Sequence, residues 1–429
     1  MLSNNNNIKL LYGKNGLLLN IENNWKPDII RKPIMPIIDN IPKKVEKIFN
    51  KPVNSKNLHQ ICKNSKTACI LVCDITRPVP NHLFIEYMIK EMQKAEIKLK
   101  NILIIIATGL HRPAPEREIE EIIKSKWVLN NIKIVNHYAR DDINHKKIGV
   151  TSKGNIIKLD KRFLESDIKI VTGLVEPHFM AGYSGGRKVI APGIAHAETI
   201  TTFHSARYME NKKSTSCNLK NNPLHEDQLE IIKMIGDVYA VNCVIDENRK
   251  LSYINFGEII SSHIQAVNFI SSYAKVKCHK KFSTIITTAA GSPLDSNFYQ
   301  TIKGMVTPLD ILKKDGDLII VADCSEGLGS DEFIKSQKNL LKIGADKFLK
   351  NILSKNYADI DEWQTEMEVK SLRKGNIYLY SKGLTASDKK LTGVNITNNI
   401  SKTINESIER HKDNNLAIIP EGPYVIPIV

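Results

Sequence analysis

Two short stretches without a single charge, residues 68–73 (ACILVC) and 102–107 (ILIIIA), restrict the fold more than anything else in the chain. A strand with one wet face alternates apolar and polar residues. A continuous apolar run of this length belongs to a strand covered on both faces, as in a parallel sheet flanked by helices. Runs at 132–135, 168–172, 240–245, 284–288, 318–322, 377–380 and 416–419 repeat the pattern. Helical periodicity fills the intervals: Asn81 caps a helix reaching about residue 95, and 226–235 and 297–305 read the same way. The alternation predicts an α/β fold of two domains with mainly parallel sheets. The expected division is 1–275 and a smaller 276–409, hinged around 270–282, with the tail 410–429 returning to the first domain. Helices are expected over 197–207 and 256–274. A hairpin around Gly13 to Gly16 opens the chain, and Asn4 to Asn7 read as a frayed end.

Charge and cysteine usage narrow the function classes. The net charge of +15 comes from 61 Lys+Arg against 46 Asp+Glu. The excess is spread along the whole chain, with no arginine-rich tract, zinc finger or aromatic-basic RNA-binding motif, so nucleic acid is not the expected partner. A basic cleft that attracts small carboxylates or phosphates fits the charge equally well. Seven cysteines, an odd number without Cys-x-x-Cys spacing, argue against a disulfide framework and for a reducing, cytoplasmic setting. No signal pattern and no apolar run of membrane-spanning length is present, so no membrane role is expected.

Open parallel sheets bind ligands beyond the carboxyl ends of their strands. Asp74, Thr76, Arg77, His111 and His178 each follow an expected strand. Any one of them has a plain reading as a cap, a surface charge or a satisfied core histidine; their common position at one sheet edge is harder to assign to chance. Two histidines that titrate near neutrality are suited to paired acid–base work, and Arg77 to a two-pronged carboxylate contact. The stretch 176–193 (EPHFMAGYSGGRKVIAPG) then supplies a glycine turn in which backbone amides can surround an anion, with Lys188 as a cation or an amine nucleophile. Taken alone, Gly-Gly-Arg-Lys reads as a tight strand-to-helix connection with both cations in water. It lacks the spacing of a P-loop. Gln300 and Lys303 share a helix face. His204 is the best single candidate for a metal ligand, and a lone imidazole needs further donors from a cofactor.

Five pieces occur together and in order: Asp-Ile-Thr-Arg-Pro (74–78), Thr-Gly-Leu-His-Arg-Pro (108–113), Glu-Pro-His-Phe-Met-Ala-Gly-Tyr-Ser-Gly-Gly-Arg-Lys (176–188), His204, and Tyr-Gln-Thr-Ile-Lys (299–303). On these the chain resembles the nickel-dependent lactate racemase family over nearly its whole length. The resemblance implies a nickel-pincer nucleotide, a nicotinic-acid-derived mononucleotide whose two sulfur arms hold nickel. It implies covalent attachment through Lys188, nickel ligation by His204, and contacts to the cofactor from Asp74 and Thr76. His111 and His178 would be the paired acid–base groups. Arg77, Tyr299, Gln300, Lys303 and Trp363 would hold the substrate in a cleft between a catalytic, cofactor-binding first domain and the second. The implied reaction is racemisation of a 2-hydroxy acid, most simply lactate, by hydride transfer through a flat 2-keto acid. Malate, aromatic or sugar acids are alternatives, as is a non-catalytic nucleotide- or anion-binding protein of the same fold. Enzymes that make the cofactor are the implied protein partners. In one departure, Phe203 stands before His204, where the family suggests a polar residue.

Overall fold

In the computed structural model, which describes residues 7–429, Ala68–Cys73 and Ile102–Ala107 are neighbouring parallel strands in the middle of a six-stranded sheet. Their alternate side chains enter different cores. Ile70, Val72, Ile104 and Ile106 pack on one face with Phe84, Met88 and Phe256. Cys69, Leu71 and Ile105 pack on the other with Ile157, Ile190 and Ile194. Both faces are dry, and for that reason neither strand alternates. All seven cysteines are free thiols.

From one edge the sheet runs Leu251–Glu258, Tyr239–Ile245, Ile168–Leu174, Ala68–Cys73, Ile102–Ala107, Lys133–Asn136. Every pairing is parallel except the edge strand Leu251–Glu258. The chain builds outward from Ala68–Cys73 to Lys133–Asn136, then returns to the other side of Ala68–Cys73 with Ile168–Leu174. The order reverses between those two strands, which opens a crevice at their carboxyl ends. The edge strand carries the beginning of the helix expected over 256–274; the helix itself is Ile259–Ala274.

A second sheet runs Asn395–Ile396, Gly375–Tyr380, Leu312–Val321, Phe282–Thr288, Asn415–Ile419, Lys26–Ile29, entirely parallel. Lys26–Ile29 is an edge strand, where Pro27 has no ladder hydrogen bond to lose. The chain therefore divides differently from 1–275 and 276–409. One compact unit takes the chain up to Pro33, His204–Lys212 and Tyr273–Val429; the other takes Ile34–Phe203 and Lys213–Ser272. The tail expected to return to the first domain is instead an inner strand of this second sheet, bracketed by Phe282–Thr288 and Lys26–Ile29. The opening hairpin, Asn7–Leu10 with Leu17–Asn20, belongs to the same unit. Of the expected frayed asparagines, Asn4 to Asn6 lie outside the described residues.

In that unit the helix Glu362–Leu372 is buried on nearly every side, and three carboxyls, Glu362, Glu366 and Glu368, go in with it. Glu368 is fully buried. Gln337 Nε2 donates to its Oε2, while Oε1 has no partner among the described residues. Burial pushes the Glu368 carboxyl up to about 8. The folded state thus prefers the proton. This contribution is complete below the unfolded value of about 4.3 and is lost as pH rises through 8. Glu368→Gln is expected to stabilise the protein by about 2–4 kcal/mol at pH 9, with the gain vanishing near pH 5. Urea midpoints at the two pH values check this; an equal gain at both would exclude titration as the cause.

Candidate active site

The chemistry-bearing residues fall into two groups, one in each unit. In the Ile34–Phe203 unit they collect at the crevice where the sheet order reverses. Asp74 follows Cys73 directly and is 7% exposed. Its Oδ1 accepts from the Thr76 hydroxyl at 2.6 Å and the Thr76 N–H at 3.2 Å. Its Oδ2 lies 2.6 Å from His111 Nδ1. Burial would raise the Asp74 carboxyl; the hydrogen bonds from His111 and Thr76 and the charges of His111 and Arg77 outweigh it and hold the group below its ordinary value. An ionised Asp74 can only accept, so Nδ1 of His111 carries a proton, and when the ring is neutral Nε2 offers a lone pair. The His111 side chain is about half exposed (53%), which leaves that lone pair accessible.

Arg77 lies on the same turn. Its Nη1 donates to the Thr76 carbonyl at 3.1 Å and its Nε is 3.5 Å from Glu176 Oε1, so the end of Ala68–Cys73 is tied to the end of Ile168–Leu174 across the crevice. Glu176 has no expected role from sequence. That it stands directly before the Pro-His pair was the only available signal.

His178 sits on a two-residue hairpin, Pro177–His178 against Gly182–Tyr183. The N–H groups of Met180 and Ala181 donate to its Nδ1 at 3.3 and 3.2 Å, and its ring stacks on Phe179. Gly182 has φ +78, and a Cβ there would lie 2.3 Å from the Asn218 carbonyl, so only glycine fits this corner. The turn continues into a short 3₁₀ segment, Gly186–Val189, which leaves Lys188 part-exposed and turns Arg187 inward. Arg187 is 2% exposed, so the reading of both cations as solvated is corrected for Arg187.

The second group belongs to the unit of the other sheet. The expected helix over 197–207 breaks: Ala197–Phe203 ends, and Ser205 precedes a new turn, Ala206–Met209. His204 stands in the break, 9% exposed, its ring 4.8 Å from that of Trp363. The apolar Phe203 before it is buried. Asn297 caps the helix Phe298–Val306 by accepting from the Gln300 N–H. From that helix the Tyr299 hydroxyl accepts from Trp363 Nε1 at 3.1 Å, and Lys303 Nζ donates to Gln300 Oε1. Gln364 Nε2 donates to the Tyr299 carbonyl at 2.6 Å. His204, Trp363 and Tyr299 thus form one connected set, with Gln300 and Lys303 paired on the same helix.

The two groups differ in capability. The first offers a carboxylate-oriented imidazole, a second imidazole, a guanidinium and a lysine amine at one sheet edge. The second offers an aromatic wall, an imidazole and an amide–ammonium pair.

Residues 12–216 match the family model described as the lactate racemase N-terminal domain, and residues 278–427 the lactate racemase C-terminal domain. The lactate racemase of Thermoanaerobacterium thermosaccharolyticum is 29% identical over 435 residues, spanning 98% of this chain and 99% of that protein. The lactate racemase of Lactiplantibacillus plantarum is 32% identical over 292 residues, 67% of this chain and 68% of the relative. The solved lactate racemase apoprotein from T. thermosaccharolyticum matches with a TM-score of 0.91 at 27% identity, covering 99% of this chain and all of that one. A Thermotoga maritima protein with a TM-score of 0.67 at 16% identity shares the fold alone. With both family domains matched in order, and with a relative above 30% identity covered over two thirds of its length, the chain belongs to the lactate racemase family.

Proposed function

We propose that this protein is an isomerase that interconverts the two enantiomers of lactate, with His111 and His178 as its acid–base pair. The observation that carries the reading is the Asp74–His111 contact at the carboxyl ends of Ala68–Cys73 and Ile102–Ala107, which leaves a lone pair at Nε2 of the neutral His111 ring; His178 and Lys188 are part-exposed on the turn that follows Ile168–Leu174. A hydroxyl proton of a 2-hydroxy acid needs such a base. A binding protein needs no carboxylate to set its tautomer.

The donor set fits a nickel-pincer nucleotide. No cluster of three or more His, Cys, Asp or Glu side chains that could hold a metal exists among the described residues. A metal held by His204 therefore needs its remaining donors from a bound cofactor, as a sulfur-armed nucleotide provides. Lys188 would carry the covalent link and His204 would ligate the nickel. When bound, the cofactor would supply an electron-poor ring that takes and returns hydride. The chain's own residues do the rest. His111 takes or returns the hydroxyl proton at Nε2, and His178 serves the opposite face. Arg77 offers its guanidinium to the carboxylate, and the Gln300–Lys303 pair offers an amide and an ammonium to substrate oxygens. Trp363 and Tyr299 supply an apolar wall that limits water.

No helix among the described residues is long and apolar enough to cross a membrane. The seven free thiols support a reading in which the protein works in a reducing, cytoplasmic setting, where enzymes that make the cofactor would be its partners. The test is co-expression with those enzymes, then intact mass, nickel content and conversion of L-lactate to D-lactate. A nucleotide-sized adduct on Lys188, about one nickel per chain and racemisation are expected. A loaded protein that leaves lactate, malate and larger 2-hydroxy acids unchanged would overturn the reading in favour of a binding protein.

A further inference from the structure

The side chain beside Lys188 poses a charge problem that the protein does not solve with its own residues. Arg187 is 2% exposed, and no carboxylate pairs with it among the described residues. Its Nη2 donates to the Ala181 carbonyl at 3.0 Å, its Nη1 lies 3.1 Å from His263 Nε2, and its Nε is buried without a partner. Burial pushes the guanidinium down to about 9, still the protonated side of neutrality.

The His263 contact is itself frustrated. The same Nε2 lies 2.8 Å from the Ser184 carbonyl. A neutral imidazole nitrogen either donates or accepts. If it donates to Ser184, it faces the Arg187 N–H with a second N–H; if it accepts from Arg187, its lone pair faces a carbonyl oxygen. Protonation offers no escape, because burial and the Arg187 charge drive His263 well below its ordinary value. Nor does His225 help: burial and Arg187 push it down to about 3, and its Nδ1 is also buried without a partner. A buried guanidinium is ordinarily paired with an anion; here the two side chains set against it, His263 and His225, are both imidazoles.

We propose that Arg187 is the counter-charge for a phosphate monoester on a ligand bound at the Gly186–Val189 turn, exchanging its contact with His263 for that anion. This rests on the mononucleotide cofactor proposed above, whose phosphate is the group the guanidinium takes. Guanidinium and phosphate match in a planar, two-pronged, charge-assisted contact. The rival role is a brace, in which Arg187 exists to tie the turn to the Ala181 carbonyl.

Thermal unfolding of the full chain, expressed without cofactor-making enzymes, separates the two. The probes are nicotinate mononucleotide, its phosphate-free riboside and inorganic phosphate. Wild type is expected to gain about 3 °C with mononucleotide at 100-fold its Kd, and nothing with the riboside. Arg187→Met removes an unpaired buried charge. It should melt at or above the wild-type temperature without ligand and lose the mononucleotide gain. Arg187→Lys, which keeps charge but not the fork, should keep a reduced gain. A Met variant that melts lower yet keeps the full gain overturns the proposal, as does a folded Lys variant with none. A Met variant that fails to fold leaves the Lys variant to decide. The two readings fail separately. An adduct on Lys188 without a mononucleotide gain removes only the role of Arg187. A gain that depends on Arg187 without any adduct upholds that role and removes the covalent attachment.

Discussion

His111→Ala should reduce racemisation by about 10²–10⁴-fold, the usual worth of a positioned base, and by the same factor from L- and D-lactate. The symmetry is required by thermodynamics: enantiomers have equal free energy, so kcat/KM in the two directions must stay equal whatever is mutated. The informative asymmetry lies one step earlier. On the proposed mechanism, each enantiomer would first be converted to pyruvate in a single turnover, and each would present its hydroxyl to a different histidine. His111→Ala is expected to abolish pyruvate formation from one enantiomer and spare it from the other. Rapid-quench measurement of enzyme-held pyruvate reads this directly; equal loss from both hands would show that the histidines do not divide the work. Asp74→Asn sharpens the point. Asp74 is buried and holds His111 by a 2.6 Å contact that fixes the proton on Nδ1. An asparagine can turn its NH₂ group to the ring, move the proton to Nε2 and remove the lone pair without removing the imidazole. Asp74→Asn should therefore reproduce the hand-specific loss with the fold intact, and add little to His111→Ala in the double variant, because the two act as one unit.

That pairing marks the border of what the sequence discloses. Asp74 and His111 were each legible as residues following an apolar strand, since period and burial are local properties. Their mutual contact depends on Ala68–Cys73 and Ile102–Ala107 lying side by side in register, which no local pattern states. The same limit explains the division of the chain. Lys26–Ile29 (KPDI) has no strand signature and exists because Asn415–Ile419 offers it an edge. Leu251–Glu258 was hidden by Ser252 and Asn255, polar residues that are buried in the strand. Arg187 carried the opposite signal, since arginine is seldom buried unless paired, and its burial emerges only from the packing of His263 against Gly186. The break at His204 falls where the chain passes from one unit to the other, between an apolar Phe203 and Ser205, with no proline or glycine to announce it.

His178→Ala should also lose about 10²–10⁴-fold in racemisation, and here the resting tautomer predicts which half-reaction survives. Two backbone N–H groups, from Met180 and Ala181, point at Nδ1 of His178. Nδ1 must therefore be the acceptor, and the neutral ring carries its proton on Nε2, the reverse of His111. A histidine in that state is poised to donate, not to accept. Before it can take a proton at Nε2, its own must move to Nδ1, and two backbone donors then lose their acceptor. Leaving such donors unsatisfied costs about 1–3 kcal/mol, roughly a ten- to hundredfold slowing. In the wild type, single-turnover pyruvate formation should therefore be faster from the enantiomer served by His111, by about that factor, even though steady-state kcat/KM is equal from both. His178→Ala should leave this faster phase untouched and remove the slower one. Nitrogen chemical shifts of ¹⁵N-labelled histidine test the premise without any turnover: His111 should report Nδ1–H and His178 Nε2–H at neutral pH. If both rings report the same tautomer, the two histidines are equivalent bases and the expected difference between the hands of lactate disappears with it.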